Sequence, residues 1–134
     1  MKTLHCIMLI DDNKLDNFFH KRVIAKYDDT IEVVEMLSAT DALKYLTGEN
    51  VTKYPDIIFL DINMPGMNGW EFLEEYKNLS DEMRKSMIVI MLTTSENPNE
   101  KTRALNNSFL TDFISKPLDS ATLSGVVEKF SQNQ

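Results

Sequence analysis

Asp56-Ile57-Ile58-Phe59-Leu60-Asp61 sets a run of four apolar residues between two acids, and Met64-Pro65-Gly66-Met67-Asn68-Gly69 follows it as a tight turn. A strand that is apolar without alternation is buried on both faces, as in a parallel sheet covered by helices on each side. Proline and two glycines fix an unusual backbone in the turn, and beyond it Trp70, Leu73 and Tyr76 recur on one helical face. Strand, turn and helix form a unit with an acid at the strand's carboxyl end.

The same unit recurs on either side. His5-Cys6-Ile7-Met8-Leu9-Ile10 runs into Asp11-Asp12, and the helix after it carries Leu15, Phe18, Phe19 and Val23 at helical spacing, expected to face inward. Ile31-Glu32-Val33-Val34-Glu35-Met36 reads as a second strand. Ser38-Ala39-Thr40-Asp41 reads as a capping-box start for a helix with Ala42, Leu43 and Leu46, stopped by Gly48. Met87-Ile88-Val89-Ile90-Met91-Leu92 leads into Thr93, and Asn97-Pro98-Asn99-Glu100 offers an N-cap followed by a proline at the first helical position. A short fifth strand, about Thr111 to Ser115, ends at Lys116-Pro117, and Asp119 caps a last helix bearing Leu123, Val126, Val127 and Phe130. Five βα units predict an α/β fold, a doubly wound five-stranded parallel sheet with helices on both faces.

A chain of 134 residues, 43% of them hydrophobic, fits one domain with a real core. With no internal repeat or linker, residues 1–134 read as a single domain, ordered over about 4–130, with a frayed tail Ser131-Gln132-Asn133-Gln134 and no room for an output domain. The net charge of -7, without a basic run, opposes direct binding to nucleic acid. No apolar run approaches the roughly 18 residues a membrane span needs. Cys6 is the only cysteine and no signal peptide opens the chain, so the cytoplasm is the default compartment.

In such a sheet ligands bind outside the carboxyl ends of the strands, where Asp11, Asp12, Asp61, Thr93 and Lys116 would converge. Clustered carboxylates repel unless a hard cation neutralises them, and Mg²⁺, which takes oxygen ligands and retains waters and a phosphate, is the natural candidate. Asp61 could then act as the nucleophile toward phosphorus, with Lys116 and the metal neutralising developing charge and Thr93 donating a hydroxyl hydrogen bond. Each signal has an ordinary structural reading. An acidic pair after a strand is commonly a helix cap, Lys-Pro commonly a turn, and a threonine at a strand end commonly a β-former. The company of all these residues at strand ends outweighs those readings. His5 and His20 fit solvated or packed structural roles, Cys6 a small core residue, Trp70 a helix-packing aromatic, and the methionines core filling.

Taken together, Asp11-Asp12, the segment from Asp56 to Gly69, Met91-Leu92-Thr93-Thr94-Ser95 and Lys116-Pro117 stand in the order and spacing of a known family. The chain resembles the receiver domain of two-component response regulators, of the stand-alone chemotaxis-regulator type, over essentially its whole length. The resemblance implies a flavodoxin-like fold with strand order 2-1-3-4-5. It implies that Asp61 is the phosphoacceptor, that Asp12 and Asp61 ligate Mg²⁺ directly, that Asp11 acts through a metal-bound water and that the Asn63 backbone carbonyl completes the ligands. It further implies that Lys116 contacts the acceptor and then the phosphoryl group, that Thr93 and Phe113 form a switch pair, and that the Lys116-Pro117 bond is cis. Two departures from the family pattern stand out: Phe113 lacks the hydroxyl, and Leu105-Asn106-Asn107-Ser108-Phe109 replaces a small-residue turn.

The implied function is a signalling module, not an enzyme acting on other substrates, that takes a phosphoryl group from a sensor histidine kinase or a histidine phosphotransfer protein. Its output would be protein contact through the face built by the helix after the fourth strand, the fifth strand and the last helix. On phosphorylation Thr93 would move toward the site, Phe113 would turn inward, and the loop from Thr94 to Pro98 would be reshaped. The alternative is an aspartyl-nucleophile phosphatase or phosphotransferase of similar architecture. Such enzymes carry a second acid two residues after the nucleophile, where this chain has Asn63. A flavodoxin-like or nucleotide-binding domain is disfavoured because neither G-x-G-x-x-G nor a Walker A pattern is present.

Overall fold

Apolar runs with β-branched residues become strands, and the stretches between them, with a cap at one end and helical spacing within, become crossovers. The computed structural model describes residues 3–48, 53–94 and 97–132. In chain order the elements are β1 (Cys6–Ile10), α1 (Lys14–Tyr27), β2 (Glu32–Met36), α2 (Ala39–Thr47), β3 (Ile57–Leu60), α3 (Gly69–Tyr76), α4 (Asp81–Lys85), β4 (Ile88–Thr93), α5 (Pro98–Leu105), β5 (Asp112–Ser115) and α6 (Ser120–Gln132). The strands form one parallel sheet in the order β2-β1-β3-β4-β5, the flavodoxin-like order implied by the family resemblance.

Burial follows strand position. The inner strands β1, β3 and β4 are buried at every residue, as their unbroken apolar sequences require. The edge strands β2 and β5 are half-exposed. Side chains alternate between two cores. Met8, Ile58 and Val89 pack with α2, α3 and Ala104 of α5, while Ile7, Phe59 and Ile90 pack with Ile24 of α1 and with Leu123, Val126 and Phe130 of α6.

Caps define the helix starts. Asn97 accepts from Asn99 N with Pro98 opening α5, and Ser38 accepts from Asp41 N, which is one half of the box read there. The reciprocal box occurs instead at Asn68 and Glu71, at the start of α3. The five-residue α4, capped by Ser80, was not anticipated, since so short a helix has no periodicity to read. The expected frayed tail is helical at Ser131 and Gln132, and Asn133 and Gln134 lie outside the described residues. No helix of the described residues is long and apolar enough to cross a membrane.

The expected inward face of α1 is wrong. Leu15, Phe18 and Phe19 are at least half exposed, Val23 is half-buried, and the buried residues are Asn17, His20 and Ile24. The first turns of α1 lie over the polar end of the sheet, where Asn17 Nδ2 donates to the Asp11 carbonyl at 3.0 Å, and the helix reaches the apolar core further along, with Ile24 buried in it and Val23 packed against it. The displaced aromatics leave Phe18 and Leu37 in a groove flanked by Lys14, Lys21 and Arg22, a local concentration of positive charge on an acidic chain.

Glycine is required where α3 meets β3. A Cβ on Gly69 would lie 2.6 Å from the Asp61 carbonyl oxygen and 3.0 Å from Ile62 Cα, both backbone atoms, while Gly69 N donates to the Ile62 carbonyl at 2.8 Å. Gly66, at φ +77°, turns the preceding loop. Gly69→Ala should therefore destabilise the fold by about 1 to 3 kcal/mol in urea denaturation. Gly125→Ala, in open space within α6, should stabilise it by roughly 0.5 to 1 kcal/mol.

Candidate functional site at the carboxyl ends of the strands

Register brings the site together. Ile10 pairs with Leu60 and Leu60 with Met91, so the residues that follow β1 and β3 leave the sheet side by side. Asp61 N donates to the Ile10 carbonyl at 3.0 Å, and Asp11 N to the Met36 carbonyl at 3.0 Å. Thr93, the last residue of β4, pairs with Ser115, and Lys116 N donates to the Thr93 carbonyl at 2.9 Å. The Lys116-Pro117 bond is cis, as the family resemblance implied.

The side chains divide between an acidic and a basic flank. Carboxylate oxygens of Asp11, Asp12 and Asp61 lie within 4.8 Å of one another; Asp11 and Asp61 are buried and Asp12 is exposed. Asp61 Oδ1 accepts from Ile62 N at 2.9 Å, and its carboxylate also takes a hydrogen bond from the buried Thr93 hydroxyl. Lys116 Nζ donates to Asp11 Oδ2 at 2.6 Å and to Asp16 Oδ2 at 2.8 Å, and stands 3.7 Å from Asp61 Oδ2. Asp11 is steadied at its other oxygen by Asn13 N at 2.9 Å. Phe113 is half-buried, paired with Met91 and packed against the core on the α3 side.

Burial is the leading electrostatic effect. It pushes the Asp61 carboxyl up to about 6, reinforced by the Asp11 charge and opposed by Lys116 and the bonds from Ile62 and Thr93. Burial also pushes the Lys116 ammonium down, but its bonds to Asp11 and Asp16 and the charge of Asp61 more than offset this, so its proton is held above the usual range. His20 is held below its usual range by burial and then by Lys116, so its packed role stands.

The acidic flank fits a hard divalent cation. Its donors are all oxygens, they converge from two strand ends, and the raised carboxyl of Asp61 marks negative charge that a cation would relieve. Asn63, the expected carbonyl ligand, lies two residues beyond Asp61 and is exposed.

Every expected side chain except Phe113 thus meets at one end of the sheet, with one rearrangement: Lys116 is bonded to Asp11 and Asp16 more closely than to Asp61. Asp16 was not anticipated. As an acid in the first turn of α1, three residues after the cap Asn13, it reads as a response to the helix dipole, and no sequence signal separates that from a bond to a lysine a hundred residues away. In the expected switch loop from Thr94 to Pro98, Ser95 and Glu96 lie outside the described residues. The departing stretch before β5 is anchored by Phe109, whose ring meets Tyr76 edge-on at 6.4 Å and lies 5.1 Å from the Arg84 guanidinium.

Comparison with known proteins agrees with this fold. The family model described as "Response regulator receiver domain" matches residues 7–128. The chain is 28% identical over 134 residues to hybrid signal transduction histidine kinase L of Dictyostelium discoideum, covering 98% of this chain and 8% of that protein. It is 34% identical to the two-component response regulator ARR5 of Arabidopsis thaliana, covering 87% of this chain and 65% of that one. The chain therefore spans only part of these relatives. Among solved structures, a two-component response regulator from Cytophaga hutchinsonii superposes with a TM-score of 0.88 at 29% identity, covering 97% of this chain and 98% of that one.

The raised carboxyl gives a pH dependence. A proton that Asp61 binds more tightly folded than unfolded stabilises the fold below its ordinary value of 3.8, and this stabilisation is lost as pH rises through about 6. In chelator, native stability should fall by about 3 kcal/mol across that window relative to Asp61→Asn. Urea denaturation at several pH values checks this, and parallel pH profiles for the two proteins would refute it.

Proposed function

This chain belongs to the response regulator receiver family, and from that premise we propose that Asp61 accepts a phosphoryl group in a Mg²⁺-dependent reaction and thereby switches protein contacts in phosphorelay signalling. The observation that carries the reading is the position of Asp61, with Asp11 and Asp12 on one side and Lys116 and Thr93 on the other. Donors in this scheme are a phosphohistidine on a sensor histidine kinase or on a histidine phosphotransfer protein.

The chemistry is a displacement at phosphorus. Asp61 Oδ1 is held by Ile62 N, which leaves Oδ2, the oxygen that faces Lys116, as the attacking atom. The new O–P bond forms as the P–N bond of the phosphohistidine breaks, and the imidazole leaves with the bonding pair. Asp12 and Asp61, with Asp11 through a water and the Asn63 carbonyl, would hold Mg²⁺, which supplies charge neutralisation at the phosphoryl oxygens. Lys116 places a buried positive charge beside the same oxygens, and the Thr93 hydroxyl turns from the carboxylate to the phosphoryl group. Asn63 provides no acid where a phosphatase of this architecture would need one, so the group is kept as a signal.

Output follows from Thr93. As its hydroxyl moves toward the phosphoryl group it vacates space beside β4, and Phe113, half-buried on neighbouring β5, turns inward. The face formed by α5, β5 and α6 then presents a partner with a different surface in each state.

Incubation with Mg²⁺ and acetyl phosphate should add one base-labile phosphoryl group, seen by intact-protein mass spectrometry. The group should be absent in Asp61→Asn and strongly reduced in Asp12→Ala, and its persistence in Asp61→Asn would overturn the acceptor assignment. Thr93→Ala should still accept the group, because Asp61 and Lys116 remain. Beryllofluoride should nonetheless shift the NMR signals of Phe113 and of α5 and α6 far less than in the native chain. Full shifts in Thr93→Ala would show that coupling runs elsewhere.

A further inference from the structure

Asp16 is the one carboxylate on Lys116 that the phosphoryl-transfer scheme does not use. Its Oδ2 lies 2.8 Å from Lys116 Nζ, against 2.6 Å for Asp11 and 3.7 Å for Asp61, so the two hydrogen bonds the ammonium makes both go to carboxylates other than the acceptor's. An ammonium has three protons and no acceptor capacity. Two of those protons are committed, so more than a single bond to a phosphoryl group on Asp61, which offers three strong acceptor oxygens, requires Lys116 to loosen an existing one.

The two existing partners differ in how readily they yield. The Asp11 side chain is 6% exposed and is fixed at its other oxygen by Asn13 N. Releasing it would leave a buried carboxylate short of a partner, which is costly. The Asp16 side chain is 32% exposed and sits in the first turn of α1, with Lys116 as its only described side-chain partner. Water and the positive end of the helix can receive it, so its bond is the one that breaks.

We propose that Asp16 is a positioning residue, a detachable tether that holds the Lys116 ammonium off Asp61 until phosphoryl oxygens on the acceptor outcompete it. The tether stabilises the unphosphorylated arrangement and not the phosphorylated one. Asp16 therefore sets how much binding free energy a phosphoryl group must supply to capture Lys116. This inference rests on Asp61 being the acceptor.

The test is a beryllofluoride titration at saturating Mg²⁺, followed by the fluorescence of the single tryptophan, Trp70, whose helix begins against the Asp61 backbone. Asp16→Asn should bind about fivefold more tightly than the native chain, the size expected for losing one competing charge-assisted hydrogen bond at a partly exposed site. The gain should persist at about 0.5 M salt, where the field of an exposed charge is screened. Asp16→Glu, which keeps the carboxylate, should return the affinity to near native. Unchanged or weaker binding by Asp16→Asn, or a gain that disappears in salt, overturns the tether while leaving the acceptor in place. Absence of binding by the native chain overturns the acceptor assignment, and the tether with it.

Discussion

One buried ammonium allows this site to exist. Asp11 and Asp61 leave adjacent strands with their carboxylates close together and largely out of water, an arrangement that would force strand ends apart or keep a proton. Lys116, whose side chain is only 8% exposed, enters from the end of the edge strand β5 and balances them. Its own burial is tolerable because Asp11 and Asp16 satisfy it. The carboxyl end of the sheet is thus a mutually dependent set of charges, its acids following strands β1 and β3 that are themselves wholly apolar.

The opposite end is organised differently. There Asp56 accepts from His5 N and Cys6 N through one oxygen, at 2.8 and 3.0 Å, fixing the start of β1 against the entry to β3. Asp56 N in turn donates to the Cys6 carbonyl, and Ile88 N to the Asp56 carbonyl. β1, β3 and β4 are pinned at their amino ends and filled on both faces, which leaves the loops after the strands and the half-exposed edge strands β2 and β5 as the less packed parts of the sheet. A phosphoryl group added at the loop end, as proposed, would meet a well-packed sheet and less packed surroundings, which would suit a switch.

Much of this was legible in the sequence because it depends on short-range rules. Unbroken apolar runs marked β1, β3 and β4 as interior strands, and the acid, hydroxyl or lysine at each strand end needed only the topology to be brought together. What was not legible depends on long-range geometry. The apolar spacing of Leu15, Phe18 and Phe19 suggested an inward face, but α1 begins over a polar site, and its inward residues there are Asn17 and His20. Asp16 looked like a helix-dipole acid, because the lysine it bonds is remote in the chain. The capping box at Asn68 and Glu71 was obscured by the proline and glycines before it, and α4 was too short to show a period.

The bond between Lys116 and Asp11 closes a span of 105 residues, and that separation bears on the order in which a growing chain can become competent. As synthesis proceeds from the amino end, Asp11, Asp12 and Asp61 all emerge before the ammonium that balances them. β1, moreover, waits for β3, about fifty residues later, before its second edge is paired. A nascent chain that has reached only Thr93 holds the acids and the hydroxyl without their counterion. The charge balance at the carboxyl end of the sheet is therefore completed only once the chain has grown past β5, long after its acids have been made.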